Sequence, residues 1–336
     1  MNRIAKHLSP LCYLPNGILV CYKNGKLVLL KDASIEEKYL IFTNKIERFV
    51  GRNRYIYRLL RLGIRIAIAI NDENIVLSKN NVIYEFDLKN GILSKGFFLE
   101  EGIKPLIFTS VYNISGFDDA IYFGGYLNNI NKKPVNIYKR VGVDNWKVVY
   151  IFNQGVINHV HNIIPDPYRK CLWIFTGDFD EAAAIWKVTD NFNKVERVYY
   201  NNQTYRACIG FSLREGLLYA TDSPFTENYI YLMKDDLSIN KIMKIEGSSI
   251  YGCKYGDKYV FSSTVEADGR DQSLLKLIFS KKLGSGITDN YVRIYTGNLE
   301  DGFKLKYKEK KDCLPFLFQF GVFRFPQGDN KNNKLF

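Results

Sequence analysis

His159 and His161 stand two residues apart in a chain of 336 residues that has three histidines. On a strand, side chains at that spacing project to one face. A turn cluster follows, Pro165-Asp166-Pro167-Tyr168-Arg169, and then a second apolar run from Cys171 to Phe175, closed by Thr176-Gly177-Asp178. Two strands joined by a tight turn are antiparallel, so the start of the first lies beside the end of the second. His159, His161 and Asp178 are therefore expected at one end of a hairpin. Imidazoles suit transition metals, and these three groups make a partial ligand set for a divalent ion, with His159 and His161 as the candidate ligands.

The element that must position them is a repeat. Strand–turn–strand segments of one form begin at Ile83, Ile137, Ile185, Ile230 and Ile294, with a weaker copy at Leu27. Their starts are roughly 45 to 65 residues apart, the length of a propeller blade. A second hairpin precedes most of them: residues 66–70 into 75–77, 106–112 into 120–123, 207–213 into 217–220, and 249–254 into 258–262. The turns carry Gly, Asn and Asp, as hairpins require. The expectation is an all-β, six-bladed β-propeller with four antiparallel strands per blade, here a to d from the axis outward. It occupies residues 1–327, and 328–336 form a polar tail. Blade one looks short, with three strands between Leu11 and Lys31 before its last. The run from Leu314 to Phe325 is expected to close the ring as a strand, completing blade one or extending blade six. Residues 268–290 are long enough to overhang one face. No long amphipathic helix is expected, and Ser34 to Lys38 reads as a turn at most. A large sandwich would not explain the repeat.

Strand alternation puts the b–c loops and the d–a connections on one face. Starts of a strands and ends of b strands then share one mouth. Those positions hold Arg61 and Arg65 in blade two, Tyr126 in blade three, His159, His161 and Asp178 in blade four, Arg206 and Asp222 in blade five, and Glu266 in blade six. Asp178 and Asp222 also suit Asx turns. Arg65 suits a structural ion pair, Glu266 a solvated loop, and His7 a structural role. Three chemistries fit this ring. A glycoside hydrolase would draw its two carboxylates from Asp178, Asp222 and Glu266, with Arg65 and Arg206 holding an acidic sugar. A metal-assisted polysaccharide lyase would use the histidines, an arginine on a uronate carboxylate and a base. A non-catalytic propeller would bind a glycan or a protein partner.

Composition bounds the partners. The net charge of +12 and pI near 9.2 favour a polyanion, an acidic sugar or peripheral contact with an anionic membrane surface, and coding bias is the bland account. The lysines are scattered without a dense basic run interleaved with aromatics, which argues against nucleic acid. The start, M-N-R-I-A-K-H-L-S-P, lacks the apolar core of a signal peptide. No run approaches the ~18 apolar residues of a membrane helix. The most apolar stretch, residues 59–70, is broken by Arg61 and Arg65. The six cysteines are far apart without a C-x-x-C pair, which reads as buried free thiols in a reducing cytoplasm rather than a zinc site.

The outer hairpin turns carry a resemblance. Sialidase-like propellers have an Asp-box, Ser-x-Asp-x-Gly-x-Thr-Trp, between strands c and d. The segments Arg140 to Trp146 and Val188 to Val195 look like decayed copies that keep Asp144, Trp146 and Asp190 but not the Ser and Gly. The stretch from Asn158 to Trp186, with Leu217 to Asn228 and Tyr259 to Glu266, resembles bacterial sialidase-like propellers associated with surface-polysaccharide gene clusters. The likeness covers roughly residues 50–325 and implies a glycan context. A sialidase uses three arginines, a Tyr–Glu couple and an Asp acid. Tyr126 and Glu266 do not fall in that order, so sialidase activity itself is not expected. The expected function is action on an acidic oligo- or polysaccharide at an axial site in surface or capsular polysaccharide metabolism, by hydrolysis or metal-assisted elimination. The alternative is a non-catalytic glycan-binding or scaffold propeller.

Overall fold

A computed structural model describes residues 8–32, 34–268, 282–318 and 320–329. It shows six antiparallel blades. Blade one is Ser9–Tyr13 (β1), Leu19–Lys23 (β2), Lys26–Lys31 (β3) and Ser34–Leu40 (β4). Blade two is Ile66–Ala69 (β5), Asn74–Lys79 (β6) and Val82–Asp87 (β7), with its outer place shared by Ile92–Leu93 (β8) and Phe97–Phe98 (β9). In blade three Lys104–Pro105 (β10) and Thr109–Val111 (β11) share the inner place beside Ala120–Tyr126 (β12), followed by Val135–Gly142 (β13) and Asn145–Phe152 (β14). Blade four is His159–Asp166 (β15), Cys171–Gly177 (β16), Ala184–Thr189 (β17) and Lys194–Tyr199 (β18). Blade five is Ala207–Leu213 (β19), Gly216–Thr221 (β20), Asn228–Met233 (β21) and Ile239–Ile245 (β22). Blade six is Ser249–Tyr255 (β23), Lys258–Ser263 (β24), Tyr291–Asn298 (β25) and Gly302–Lys310 (β26).

The b strands lie between two blades as well as between two strands, so both of their faces are covered. Every residue of β16 is buried, and this is why that strand reads as an apolar run without alternation. Among the described residues, five apolar cores fill spaces between successive blades from one to six. Val160, Ile163, Leu172 and Ile174 meet Tyr122 and Ile137 between blades three and four. Phe175, Ile185, Tyr219 and Tyr231 fill the next space. Burial at ~25 cal/mol per Å² of apolar area is the main force joining the blades. Polar ties fix their alignment. Arg140 of β13 grips Glu85 of β7 through two bonds of 2.8 Å. Asp144, in the β13–β14 turn, accepts from Ser94 Oγ at 2.6 Å and Gly96 N at 3.0 Å. The Asp-box-like acid thus joins blades on their outer part.

Three details differ from the sequence reading. Ser34 to Lys38 is strand β4, so blade one has all four of its own strands. It pairs with β3 from Lys31↔Ser34 to Lys26↔Leu40, with a bulge at Glu36, and this pairing outweighs weak local propensity. Second, two short helices, Lys45–Val50 (α1) and Arg54–Leu59 (α2), join blade one to blade two. Asn44 and Asn53 cap them, accepting two backbone N–H groups each. This insert holds Arg48, Arg52, Arg54, Arg58 and Arg61 within one short stretch that also carries Phe49, Tyr55 and Tyr57. It is a basic and aromatic concentration that a search for lysine runs passes over. Third, the C-terminal run joins the last blade to the first by isolated bridges and one turn of 3-10 helix, Phe316–Phe318, rather than by a ladder. Gly321 bridges Val265, and Gln327 lies parallel to Cys12 on the open edge of β1. The Gln327 amide donates to Leu11 O at 2.9 Å and its carbonyl accepts from Tyr13 N at 2.8 Å. The edge strand is thereby covered. His7, most of the 268–290 segment and the tail from 330 lie outside the described residues. No helix among the described residues is long and apolar enough to cross a membrane.

Candidate functional site

The repeat puts equivalent residues at equivalent places around the axis. Arg65, Asn158, Arg206 and Ser248 each immediately precede an inner strand. Asp178 and Asp222 each immediately follow a b strand. Glu266 does not share that place. Thr264 holds it in blade six, and Glu266 stands two residues further on, bonded to the Thr264 hydroxyl. Tyr126 is the last residue of β12, with Lys104 of β10 as its strand partner. Arg61 lies in the connection after α2, exposed.

Blade four supplies the centre. His159 and His161 were expected on one face, and their rings do face each other, 3.0 Å apart at Nε2. The strand is not regular there. Its register shifts between Val160 and Asn162, so His161 is the extra residue of a bulge. Each Nδ1 meets a backbone carbonyl at 2.9 Å: His159 that of Leu127, His161 that of Ala207. A carbonyl only accepts, so both Nδ1 atoms carry the proton and donate. The two Nε2 atoms are left as bare acceptors. They face each other and Asp178 Oδ1, at 3.3 Å from His159 and 3.5 Å from His161. Gly177 makes room for this. A Cβ there would lie 2.2 Å from His161 Cε1.

Arg206 joins blades four and five. Its Nη2 lies 3.1 Å from Asp178 Oδ1, and its Nη1 donates to the Asp178 carbonyl at 3.1 Å. Its Nε lies 3.7 Å from Asp222 Oδ2. The Cys208 thiol donates to that same Asp222 oxygen at 3.2 Å. Gln203 also donates to the Asp178 carbonyl, and Asn158 accepts from the Asp178 N–H. The histidines, Arg206, Asp222 and Glu266 are all buried. The Asp178 side chain keeps 29% of its surface exposed. It is the acid that meets the mouth.

These surroundings separate the acids. Burial raises Asp222, against the pull of Arg206, and its carboxyl is pushed up to about 8. Burial likewise raises Glu266, against its bond from Thr264 and the Arg206 charge. Burial also opposes the charge of Asp178, but its contacts with His159 and His161 and the Arg206 guanidinium outweigh it and hold this carboxyl well below the usual range. His161 is brought down to about 4, mainly by burial. Acids pushed apart in this way occur at sites where one acid must be charged and another neutral.

On the other side of the axis the charges are not balanced. Tyr126 lies against His159, ring centres 4.3 Å apart, and Arg65 stands over the Tyr126 ring at 5.5 Å. Arg65 and Arg206 hold equivalent places in blades two and five. Arg206 meets two carboxylates, whereas Arg65 has no acidic partner among the described residues. Burial lowers the Arg65 pKa, and Arg324 and Arg61 lower it further. Burial, Arg65 and Arg61 lower Lys104 in the same way. The mouth is therefore divided: a closed acid–imidazole–arginine cluster on blades four to six and an uncompensated cationic arm, Arg61, Arg65 and Lys104, on blades two and three.

Sequence reasoning did not find Lys104, Cys208, Gln203 or the two carbonyls that fix the histidines. Cys208 follows Arg206 by two residues whereas His161 follows Asn158 by three, so aligning blades four and five by their inner strands matches Cys208 to Val160 and gives no signal for it. Lys104 lies on a two-residue strand that carries no periodic signal.

Other propellers share this architecture. The extracellular domain of a hybrid two-component system from B. thetaiotaomicron aligns over 94% of this chain and 35% of its own, at 10% identity and a TM-score of 0.53. This chain thus spans about a third of that structure's length. The WD40 domain of Pan2 from Neurospora crassa aligns over 74% of this chain and 69% of its own, at 8% identity and a TM-score of 0.47. The first of these likenesses speaks for the fold alone. No family model matches the chain and no curated protein matches it in sequence, so nothing at that level joins it to the sialidase-like propellers. The class that can be stated is the six-bladed β-propeller.

Proposed function

We propose that the axial mouth binds an acidic saccharide, with a uronate carboxylate held on Arg65 and Lys104. The observation that carries this reading is the cationic arm itself. A half-buried guanidinium without a carboxylate partner among the described residues costs desolvation that an anionic ligand would offset. Arg65 at the place where Arg206 takes two acids makes the contrast internal to the molecule. The surface-polysaccharide context implied by the sequence resemblance agrees with such a ligand.

Of the two cleavage chemistries, elimination fits these residues better than hydrolysis. A hydrolase needs a protonated acid within reach of the glycosidic oxygen. Asp222 and Glu266 have the raised pKa but are 4% and 8% exposed. Elimination needs the uronate charge neutralised and a base at the proton α to it. Asp178 is ionised and partly open, and its Oδ2 carries no hydrogen bond among the described residues. It would take that proton as the bond from the β carbon to the leaving oxygen breaks, the electron pair forming the double bond and solvent protonating the leaving oxygen. One observation favours the non-catalytic alternative: the imidazoles are 4% and 2% exposed, and Tyr126 covers them.

Calorimetric titration with uronate and neutral oligosaccharides of equal length tests binding. Uronates should bind and neutral sugars should not, and Arg65→Ala should weaken binding by ~10-fold or more, the worth of a charge-assisted bond. Equal affinity for both sugars would remove the acidic-saccharide reading. The ultraviolet absorbance of an unsaturated uronate, gained with wild type and lost in Asp178→Asn, separates turnover from binding alone.

A further inference from the structure

The three atoms His159 Nε2, His161 Nε2 and Asp178 Oδ1 form a triangle with edges of 3.0, 3.3 and 3.5 Å. All three are acceptors. Both imidazole protons are committed to Leu127 O and Ala207 O. The remaining lone pairs therefore point at one another in a site whose histidines are 4% and 2% exposed. Three converging acceptors repel unless a cation or a shared proton lies among them.

We infer that His159, His161 and Asp178 bind a divalent first-row transition metal, with zinc the best fit, through the two Nε2 atoms and the carboxylate. The edges match that ion. Ligands at ~2.0–2.1 Å in a tetrahedron are about 3.3 Å apart, and at right angles about 3.0 Å. Two imidazoles and one carboxylate are the borderline donors that such ions prefer. The outer contacts are those of a built site: each ring is oriented by its Nδ1–H on a carbonyl, and the carboxylate by Arg206 at 3.1 Å. Gly177 completes it, because a side chain there would occupy the place of the His161 ring. Three protein ligands leave a position open, and the exposed side of Asp178 puts that position toward the mouth. A metal-bound water there would be both Lewis acid and source of hydroxide. The inference stands on the histidine geometry and survives failure of the saccharide assay.

Mass-spectrometric metal analysis of protein purified without chelator should find about one equivalent of zinc. Chelator-stripped protein should regain a visible cobalt spectrum on titration with Co²⁺, saturating at about one equivalent. His159→Gln and Asp178→Asn should lose both while keeping the wild-type circular dichroism. Should the variants misfold, the wild-type cobalt titration alone decides. Retention of manganese or iron in place of zinc would overturn the zinc assignment. Absence of metal together with a featureless cobalt titration would overturn the site and leave a proton shared between the two Nε2 atoms.

Discussion

His161 of blade four and Cys208 of blade five stand near the starts of neighbouring inner strands, one residue out of step with each other. Each is the extra residue of a bulge in its inner strand. Each faces the acid that follows its own b strand: His161 lies 3.5 Å from Asp178, and Cys208 lies 3.2 Å from Asp222. One geometric motif therefore carries two chemistries. The imidazole side leaves Asp178 charged and partly open. The thiol side leaves Asp222 sealed, with burial raising both members. Arg206 lies between the two acids and serves both.

The thiol is accordingly inert. A thiol reacts as thiolate, and burial raises Cys208 well above its ordinary value, as it raises Cys21 and Cys171 to about 12. In native protein a disulfide-exchange reagent should modify the exposed Cys313 promptly and half-buried Cys253 slowly, and leave Cys12, Cys21, Cys171 and Cys208 untouched until denaturant is added. Prompt native labelling of Cys208 would mean that the axial cluster opens.

Asp222 makes stability depend on pH in a stated direction. Its folded pKa is about 8 against an ordinary 3.8. The folded chain keeps a proton that the unfolded chain releases, so this contribution is full below the ordinary value and is lost as pH rises through about 8. Urea melts of chelator-treated protein at about pH 5 and about pH 8.5 should show wild type losing stability relative to Asp222→Asn. Parallel slopes in the two proteins would place the Asp222 proton elsewhere.

Gly177 and Gly124 are expected to resist any side chain. A Cβ at Gly177 meets the His161 ring at 2.2 Å, and one at Gly124 meets Val160 Cβ at 2.3 Å. Each Gly→Ala change should cost ~1–3 kcal/mol by overpacking, read from chemical denaturation. Gly177→Ala should also disturb the histidine signals in a nuclear magnetic resonance spectrum, since its added methyl group meets the His161 ring itself.

Asp166 holds the hairpin that presents the histidines. It is fully buried and accepts from Trp173 Nε1 at 2.8 Å, Arg169 Nη1 at 3.0 Å and the backbone of Tyr168 and Arg169. Asp166→Ala leaves those donors unpaired and should cost ~3–5 kcal/mol, the scale for breaking a buried ion pair. A loss under 1 kcal/mol by urea denaturation, the value of an exposed pair, would show that the turn holds without it.

The six blades were legible because local chemistry repeats. Turn residues, strand runs and blade-length spacing recur in the chain, and antiparallel pairing follows from short turns. Strand alternation alone carries His159, Asp178, Arg206 and Asp222 to one face, and the chain order of a and b strands suffices for it. Blade one's last strand and the two small helices were not legible. Strand β4 is polar and exposed on most of its residues, and six-residue helices depend on caps more than on periodicity.

The sequence by itself determined the repeat, the face on which the polar groups gather and the pairing of two histidines with one acid. Tertiary structure decided what those groups do. The bulge at His161, the carbonyls of Leu127 and Ala207 that take the imidazole protons, and the choice of Arg206 rather than Arg65 as partner of the acids all arise between blades. They depend on distances between residues far apart in the chain, where a shift of one residue in register or a single added methyl group exchanges a bonded partner for a clash. Such distances follow from packing six sheets around one axis, and no local pattern encodes them.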